Sequence, residues 1–418
     1  MSDEAPPDVT IIGAGIIGIC AALSLLDRGI SVNLIDRAGP AEGASYGNAG
    51  VISPWSCVPI SLPGIWRTLP KALLEPDGPL SIRWRYLPRF LPWAIRFLQA
   101  GQTKRVYRTA EAMDQLNRPN VELYRRHLAG TGKEHLLQDC YYVQAQRSPI
   151  MPGPDNLGYR LREQHGAPLE LVDGKQLREI EPALSSDYQS GLIIKNQARA
   201  LHPGDLGKAL AEKARRNGAE FLQRDVQSVR PDDNAGWQIE TDGGPLFASK
   251  LLIAAGAWST RLLEPLGIQL PLEYERGYHL EFRDPGVELR HSVLDMDRKF
   301  VTSAMTSGIR SAGTAEFAGL DAPPDNRRAE ILKTLTQAML PDLKVDNTQG
   351  WMGTRPSFPD SLPCIGEIPG FTNLFAAFGH SHFGLGMAPK TGEIIADLLA
   401  KRRPNLDLSC YQADRFLR

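Results

Sequence analysis

Three glycines spaced as Gly13-Ala-Gly15-Ile16-Ile17-Gly18 stand between an apolar run, Val9-Thr-Ile-Ile12, and an apolar helical pattern, Ile19 to Arg28, that Gly29 ends. A turn that cradles a pyrophosphate needs this arrangement. Gly13 permits the tight turn, Gly15 lets the phosphates approach the backbone, and Gly18 lets helix and strand pack closely. The helix N-terminus then presents unsatisfied N–H groups to the anion. The next strand, Val32-Asn-Leu-Ile35, ends at Asp36, whose carboxylate can accept hydrogen bonds from an adenosine ribose. Shortly after comes a second small-residue segment, Gly43-Ala-Ser45-Tyr-Gly-Asn48-Ala49-Gly50, of the kind needed where a chain runs close to an extended cofactor.

The elements that must position these residues read as strand, turn, helix, strand: a βαβ unit opening at residue 9. Val9 to Leu26 is long and uncharged, but its glycine spacing argues for a buried strand, turn and helix and against a membrane span. Residues 53 to 100 change character, with many prolines, four tryptophans (Trp55, Trp66, Trp84, Trp93) and six basic residues (Arg67, Lys71, Arg83, Arg85, Arg89, Arg96) against Glu75 and Asp77. Short interrupted helices over a cleft are expected there. A polar helix is predicted from about Thr103 to Leu128, and His202-Pro-Gly-Asp205 opens another of about Leu206 to Asn217. Glu220-Phe-Leu-Gln223 reads as a strand, residues 236–243 as a hairpin edge, and Lys250-Leu-Leu-Ile-Ala-Ala-Gly256 as a buried strand. Short strands are expected over 268–320, then helices at Asn326 to Leu340 and about Lys390 to Lys401. Alternating βα units with β-rich insertions imply a two-domain α/β protein whose nucleotide domain is discontinuous. That division is 1–60, 190–262 and 347–418 for the nucleotide domain, with 61–189 and 263–346 for the substrate domain.

Composition narrows the class. With 418 residues, 42% hydrophobic, 23% charged and net charge -1, the chain has an ordinary globular profile and no basic face suited to nucleic acid. Five scattered cysteines without a C-x-x-C pair support neither a disulfide framework nor a zinc site, and fit a reducing compartment. His380 and His382 are a close pair, but no neighbouring Cys or carboxylate completes a metal set, so no metal is expected. The N-terminus, Met1 to Pro7, is acidic and lacks the basic region of a secretory signal.

Further motifs follow in order: Leu201-His-Pro203, Ala254-Ala255-Gly256-Ala-Trp258, Arg276-Gly-Tyr278, Gly313-Thr-Ala-Glu-Phe317, Trp351-Met-Gly353-Thr-Arg355-Pro356 with Pro359-Asp360, and Gly379-His380-Ser-His382-Phe383-Gly384-Leu385-Gly386. Together with the two glycine segments, these run nearly the full length of the chain. In that order they resemble the FAD-dependent D-amino acid oxidase and dehydrogenase superfamily, with the nearest look to bacterial D-amino acid dehydrogenases and D-hydroxyproline dehydrogenases. The resemblance implies a Rossmann-like FAD-binding domain of the glutathione-reductase type, with an inserted β-rich substrate domain of the D-amino acid oxidase type. There are departures. Many relatives have Glu where this chain has Asp36; residues 351–360 contain no Cys for covalent attachment, so noncovalent FAD is expected; and Gly379-His-Ser-His-Phe-Gly384 replaces the usual G-H-G-x-x-G-W ending.

For the cofactor, the resemblance implies contacts from Gly13, Gly15, Ile16, Ile17 and Gly18, then Asp36 and Arg37, then Ser45, Asn48, Ala49, Gly50 and Val51. It adds Val226, then Ala255, Gly256 and Trp258, then Gly353, and last Gly379 with His382, Phe383, Gly384, Leu385 and Gly386. For the substrate, it implies that Arg355 holds the carboxylate, with Arg310 a second candidate. Tyr278, and less so Tyr274, fit pocket positions or plain strand packing. His380 or His382 fits an acceptor of the amine proton or a loop hydrogen-bonder. No general base at the substrate carbon is needed if hydride passes to flavin.

The activity implied is oxidation of the Cα–N bond of a small amino acid, D-amino acid or D-hydroxyproline-like, giving an imino acid that hydrolyses to a 2-oxo acid. A glycine-, sarcosine- or opine-type amine oxidase using dioxygen is the alternative. A flavoprotein that only relays electrons is the non-enzymatic one. The expected acceptor is a membrane quinone or carrier protein, and the expected location is cytoplasmic, with peripheral contact at the inner membrane. Trp66 to Phe97 fits either a bilayer surface or a lid over the active site.

Overall fold

The computed structural model describes residues 7–75, 78–233 and 236–417. Most of the acidic N-terminal segment, and Asp77, lie outside them. Two large sheets carry the molecule. The first runs in the order Cys364–Glu367, Leu374–Phe378, Leu251–Ile253, Val9–Ile12, Val32–Asp36, Glu220–Gln223, parallel throughout except for its first strand. Parallel strands need helices on their faces, and the helix Ile16–Leu26 is buried along nearly its whole length for that reason. It packs on Pro203–Arg216 and on the C-terminal helix Gly384–Leu399. At Gly392 a Cβ would lie 2.5 Å from the Cys20 carbonyl oxygen, so a small residue is what lets the two helices approach so closely.

The C-terminal helix begins earlier than its sequence pattern predicts, at Gly384, and carries Pro389 inside it. Gly384-Leu-Gly386 is therefore the first turn of a helix. The polar helix expected over about 103–128 is two helices, Thr103–Asn117 and Asn120–Leu128. Pro119 separates them, since it has no N–H to continue the ladder.

The second sheet is built in the order Thr348–Ser357, Glu273–Phe282, Gly308–Phe317, Phe300–Met305, Ser292–Asp295, Leu137–Gln146, Ser190–Ala200, Val51–Ile52. One face packs on the helix Arg327–Met339 through Tyr278, Leu280, Phe282, Val293, Phe300 and Leu332. The opposite face looks into a cleft. Three strands that the expected division gives to the nucleotide domain, Val51–Ile52, Ser190–Ala200 and Thr348–Ser357, hydrogen-bond into this second sheet. The boundaries at 190 and 347 therefore fall one strand early, because Ser190–Ala200 and Thr348–Ser357 satisfy their backbone groups against Leu137–Gln146 and Glu273–Phe282.

The described residues of 60–100 form the interrupted helical cover the prolines suggest, Ile65–Arg67, Leu69–Leu74, Trp84–Tyr86 and Leu87–Ala100, with one short strand, Leu80–Ile82, among them. Its inner side is fixed by Phe90, Trp93 and Phe317, with Phe90 and Phe317 ring centroids 4.5 Å apart. The Trp93 indole N–H donates to the Ser357 carbonyl oxygen at 3.0 Å.

Candidate active site

A single cavity of about 1960 Å³ runs from the carboxyl ends of the parallel strands, under the helical cover, to the second sheet. A site for one drug-sized ligand is typically about 300–1,000 Å³, so this volume has room for an extended dinucleotide and a small substrate together.

At the nucleotide end each glycine does a different job. Gly13 has φ +109°, and a Cβ there would lie 2.4 Å from the Ala254 carbonyl oxygen; at Gly18 it would lie 2.0 Å from the Gly13 oxygen. Both are demanded by the fold itself. At Gly15 a Cβ would meet only the Ser45 hydroxyl, at 3.5 Å, so the space over Gly15 belongs to the cavity. Ser45 accepts from the Ile16 N–H at 2.9 Å, and Asp36 accepts from the Ala14 N–H at 2.8 Å. The Gly15 and Ile17 N–H groups have no partner among the described residues, both residues line the cavity, and free N–H groups at a helix N-terminus are suited to an anion. Asp36 also accepts from Ala38 at 2.9 Å and Gly39 at 3.3 Å, which fixes its carboxylate at the strand tip. An ionised carboxylate has about four acceptor sites, so capacity for a ribose hydroxyl remains. Arg37 lies 3.9 Å over the Trp258 ring, a cation–π pair flanking the mouth, with Val226, Ala255 and Gly256 also lining it. These features fit FAD.

The segment Gly43 to Gly50 is clamped from behind. A Cβ at Gly47 would lie 1.7 Å from the Trp351 ring, so only glycine lets the chain lie flat on that indole. His279 stacks on the other part of Trp351 at 5.0 Å and 19°, and its Nδ1 is 3.1 Å from the Gly47 oxygen. Arg310 completes the clamp. It is fully buried, and one guanidinium nitrogen donates to the carbonyl oxygens of Tyr46 and Asn48 at 2.9 and 3.0 Å. Arg310 is not among the cavity-lining residues, and its expected place as a second carboxylate ligand is corrected by these contacts. Gly18 and Gly50 do not line the cavity either. Gly18 serves the helix–strand contact, and Gly50, at φ +82°, turns the chain so that its oxygen accepts from Ala200 at 2.7 Å. Ile16, Ile17, Asn48, Ala49, Val51, Gly353, Gly379, Phe383, Leu385 and Gly386 do line it.

At the substrate end the strand register does the positioning. Glu275 pairs with Arg355, Gly277 with Gly353 and His279 with Trp351, which puts these side chains on one face. A Cβ at Gly277 would lie 2.2 Å from the Arg355 Cζ; the glycine gives the guanidinium its bed. Arg355 donates to Glu275 Oε1 at 2.8 Å, and His382 Nε2 is 2.6 Å from the same oxygen. The Ser357 hydroxyl donates to Glu275 Oε2 at 3.1 Å. Burial alone drives the Glu275 carboxyl upward. His382, Arg355 and Ser357 together outweigh that and hold it at about 2, so it is ionised.

The remaining candidates separate clearly. Tyr278 touches the cavity, but its hydroxyl donates to Glu316 at 2.6 Å and accepts from the Asp325 N–H at 2.9 Å, on the core side of the strand. Burial and the Glu316 charge push this phenol up to about 12 despite the Asp325 N–H. The expected substrate contact of the Tyr278 hydroxyl is corrected accordingly. Tyr274 pairs its hydroxyl with Thr260 at 3.0 Å and lies off the cavity. His380 is buried, its Nε2 is 3.0 Å from the Thr391 hydroxyl, and burial pushes its imidazole down to about 3, so it is a neutral structural group. His382, at 40% side-chain exposure, is the histidine that faces open space. Glu275 was missed by sequence reasoning. Its signal was an acid two residues before Gly277, in a strand whose alternation puts both on one face.

The cavity's described lining contains no cysteine. The chain matches the family model described as DAO, FAD dependent oxidoreductase, over residues 8–398. It is 37% identical over 417 residues to a protein from Bradyrhizobium diazoefficiens named D-amino-acid oxidase, covering 98% of this chain and 99% of that one. It is 31% identical over 415 residues to a Dechloromonas aromatica protein named D-amino acid dehydrogenase, covering 95% and 97%. Glycine oxidase from Geobacillus kaustophilus superposes with a TM-score of 0.73 at 22% identity, covering 97% of this chain and 98% of that one. L-proline dehydrogenase from P. horikoshii gives 0.74 at 19%, covering 99% and 98%. The glycine turn, the shared cavity and the full-length match together establish that this chain belongs to the DAO family of FAD-dependent oxidoreductases.

Proposed function

We propose that the chain oxidises the Cα–N bond of a small amino acid, D-configured or D-hydroxyproline-like, to an imino acid that water converts to a 2-oxo acid. The observation that carries this reading is Arg355. It is a cavity-lining cation whose contacts with Glu275 and the Thr314 carbonyl oxygen both come from one terminal nitrogen, which leaves the rest of its guanidinium fork for a carboxylate. FAD, when bound, supplies the hydride-accepting centre. The chain's part is to hold the carboxylate on Arg355, to keep Glu275 ionised beneath it, and to close the site from water with Phe90, Trp93 and Phe97. Anaerobic mixing of the holoenzyme with D- and L-amino acids, prolines, sarcosine and opines tests it. Bleaching of the flavin band by D-amino acids or D-hydroxyproline is expected. Bleaching by none of the panel would leave the electron-relay alternative.

FAD is held noncovalently in this reading, supported by the absence of a thiol from the described lining. Acid precipitation should therefore release free FAD into the supernatant, and flavin retained in the pellet would contradict it.

The proposed acceptor is a membrane quinone or carrier protein, reached at an anionic bilayer surface. The support is the outer face of the cover: Leu87, Leu91 and Ile95 recur at helical spacing and are 48%, 52% and 48% exposed, beside Trp66 and Trp84 at 60% and 76%. Exposed Arg67, Arg85, Arg89 and Arg96 surround them. Apolar side chains ringed by arginines suit an anionic lipid surface. No helix among the described residues is long and apolar enough to cross a membrane. The second reading, dioxygen as acceptor, is favoured by the 37% identity to a protein named as an oxidase. Co-sedimentation with phosphatidylglycerol vesicles, lost in Leu91→Glu/Ile95→Glu with dye-linked activity intact, is the expected result. Hydrogen peroxide formation as fast as dye reduction, with no vesicle binding, selects dioxygen.

A further inference from the structure

We propose that Glu275 is a positioning residue that fixes His382 in the Nε2–H tautomer, and that His382 Nδ1 takes the proton of the substrate ammonium before oxidation. The inference rests on the amino acid reading above. An amino acid arrives at neutral pH as an ammonium, whose nitrogen has no lone pair to assist loss of hydride from Cα. One proton must leave first. The ammonium N–H bond breaks with its electron pair staying on nitrogen, a bond forms to imidazole Nδ1, and an imidazolium and a neutral amine result.

The geometry selects this histidine and this nitrogen. His380, two residues away, is buried and has its Nε2 on the Thr391 hydroxyl. His382 lines the cavity, and its Nε2 is committed to Glu275 Oε1 at 2.6 Å. An ionised carboxylate can only accept, so the hydrogen in that bond sits on Nε2 and the lone pair of neutral imidazole sits on Nδ1. Nδ1 makes no hydrogen bond with another described residue. The same Glu275 oxygen receives Arg355, so one carboxylate sets the distance between the cation proposed for the substrate carboxylate and the base proposed for its ammonium. The two groups of an α-amino acid are separated by a single carbon, which suits two ligands bound to one atom. Among the described residues, His382 pairs with the charged group Glu275 and, through it, Arg355, while the Ser357 hydroxyl also donates to Glu275.

The test pairs a spectroscopic with a kinetic readout on the holoenzyme. Histidine labelled with ¹⁵N, with His382→Asn identifying the resonance, should show the Nε2–H tautomer in wild type and in Glu275→Asp, and a tautomer mixture in Glu275→Gln. An unchanged tautomer in Glu275→Gln overturns the proposal whatever the substrate. In anaerobic stopped flow with D-alanine, or with the best reductant of the panel above, His382→Gly should reduce flavin about 100-fold more slowly. Added imidazole should recover part of that rate, which a purely structural histidine would not allow. Glu275→Gln should lose about 10-fold or more, as when a carboxylate that fixes a catalytic histidine's tautomer is neutralised. A His382→Gly rate near wild type, or a slow rate that imidazole does not raise, also overturns the proposal. Absence of any reduction in wild type sinks the amino acid reading instead, and the tautomer still decides the role of Glu275.

Discussion

Replacing Arg355 by leucine should lower kcat/KM for the amino acid by about 30-fold to several thousand-fold while the flavin remains at full occupancy. The magnitude follows from losing a charge-assisted contact in a partly dry site, roughly 2 to 5 kcal/mol of transition-state binding, each 1.4 kcal/mol being about tenfold. If part of the contact is already present in the ground state, KM rises too. Arg355 lies on the second sheet, away from the glycine turn, so FAD content should not change. The structure adds a second consequence. Glu275 is buried and kept ionised by His382, Arg355 and Ser357; without Arg355, burial drives its carboxyl upward and the folded state loses stability at neutral pH. Arg355→Leu/Glu275→Gln should regain that stability without regaining catalysis, which separates the two effects. Gly277→Ala offers an independent route, because its Cβ would occupy the place of the Arg355 Cζ. Tyr278→Phe should act differently, costing roughly 1.5 to 3 kcal/mol of stability through its bond to Glu316 and leaving KM nearly unchanged. The deciding measurement is flavin reduction at saturating substrate. A normal rate and affinity in Arg355→Leu would move the carboxylate to another cation of the cavity.

Why some residues were legible in the sequence and others were not has a physical cause. Gly13, Gly18 and Asp36 belong to a local motif whose spacing is set by one turn and one strand, so their roles can be read from a few dozen residues. The turn at Gly43 to Gly50 was legible as small residues near a cofactor. What it rests on was not, since Trp351, His279 and Arg310 come from strands some 230 to 300 positions later. Arg310 shows the limit well. An arginine beside a cavity motif suggests a ligand, but this one is fully buried off the cavity and turns one terminal nitrogen to two carbonyl oxygens of the Gly43 to Gly50 segment. Tyr278 and Glu275 are three positions apart in one strand, so alternation puts them on opposite faces without saying which face meets the cavity. Which of them faces substrate is decided by register with Thr348–Ser357, and register is a long-range property. The same applies to the domain boundaries, where Ser190–Ala200 joins whichever sheet offers it partners.

Gly15→Val should produce a folded protein that is nearly colourless, and it has the largest expected effect on cofactor content. The three glycines of the turn are not equivalent. At Gly13 and Gly18 an added Cβ would strike backbone oxygens at 2.4 and 2.0 Å, so substitution there disturbs the strand–helix packing itself. At Gly15 the nearest atom is a serine hydroxyl at 3.5 Å, and the backbone, at φ -70° and ψ 176°, is extended and acceptable to a β-branched residue. The valine methyls would therefore stand in the cavity over the Gly15 and Ile17 N–H groups, where the pyrophosphate is expected. Overpacking of this sort costs about 1 to 3 kcal/mol, or roughly 5- to 150-fold in affinity, before any loss of the N–H contacts is counted. Circular dichroism and the melting temperature of the apo-protein should match wild-type apo-protein, which Gly13→Ala should not. Titrating both apo-proteins with FAD and following the quenching of flavin fluorescence measures the difference. Wild-type affinity in Gly15→Val would place the pyrophosphate elsewhere in the cavity and remove Gly15 from the cofactor site.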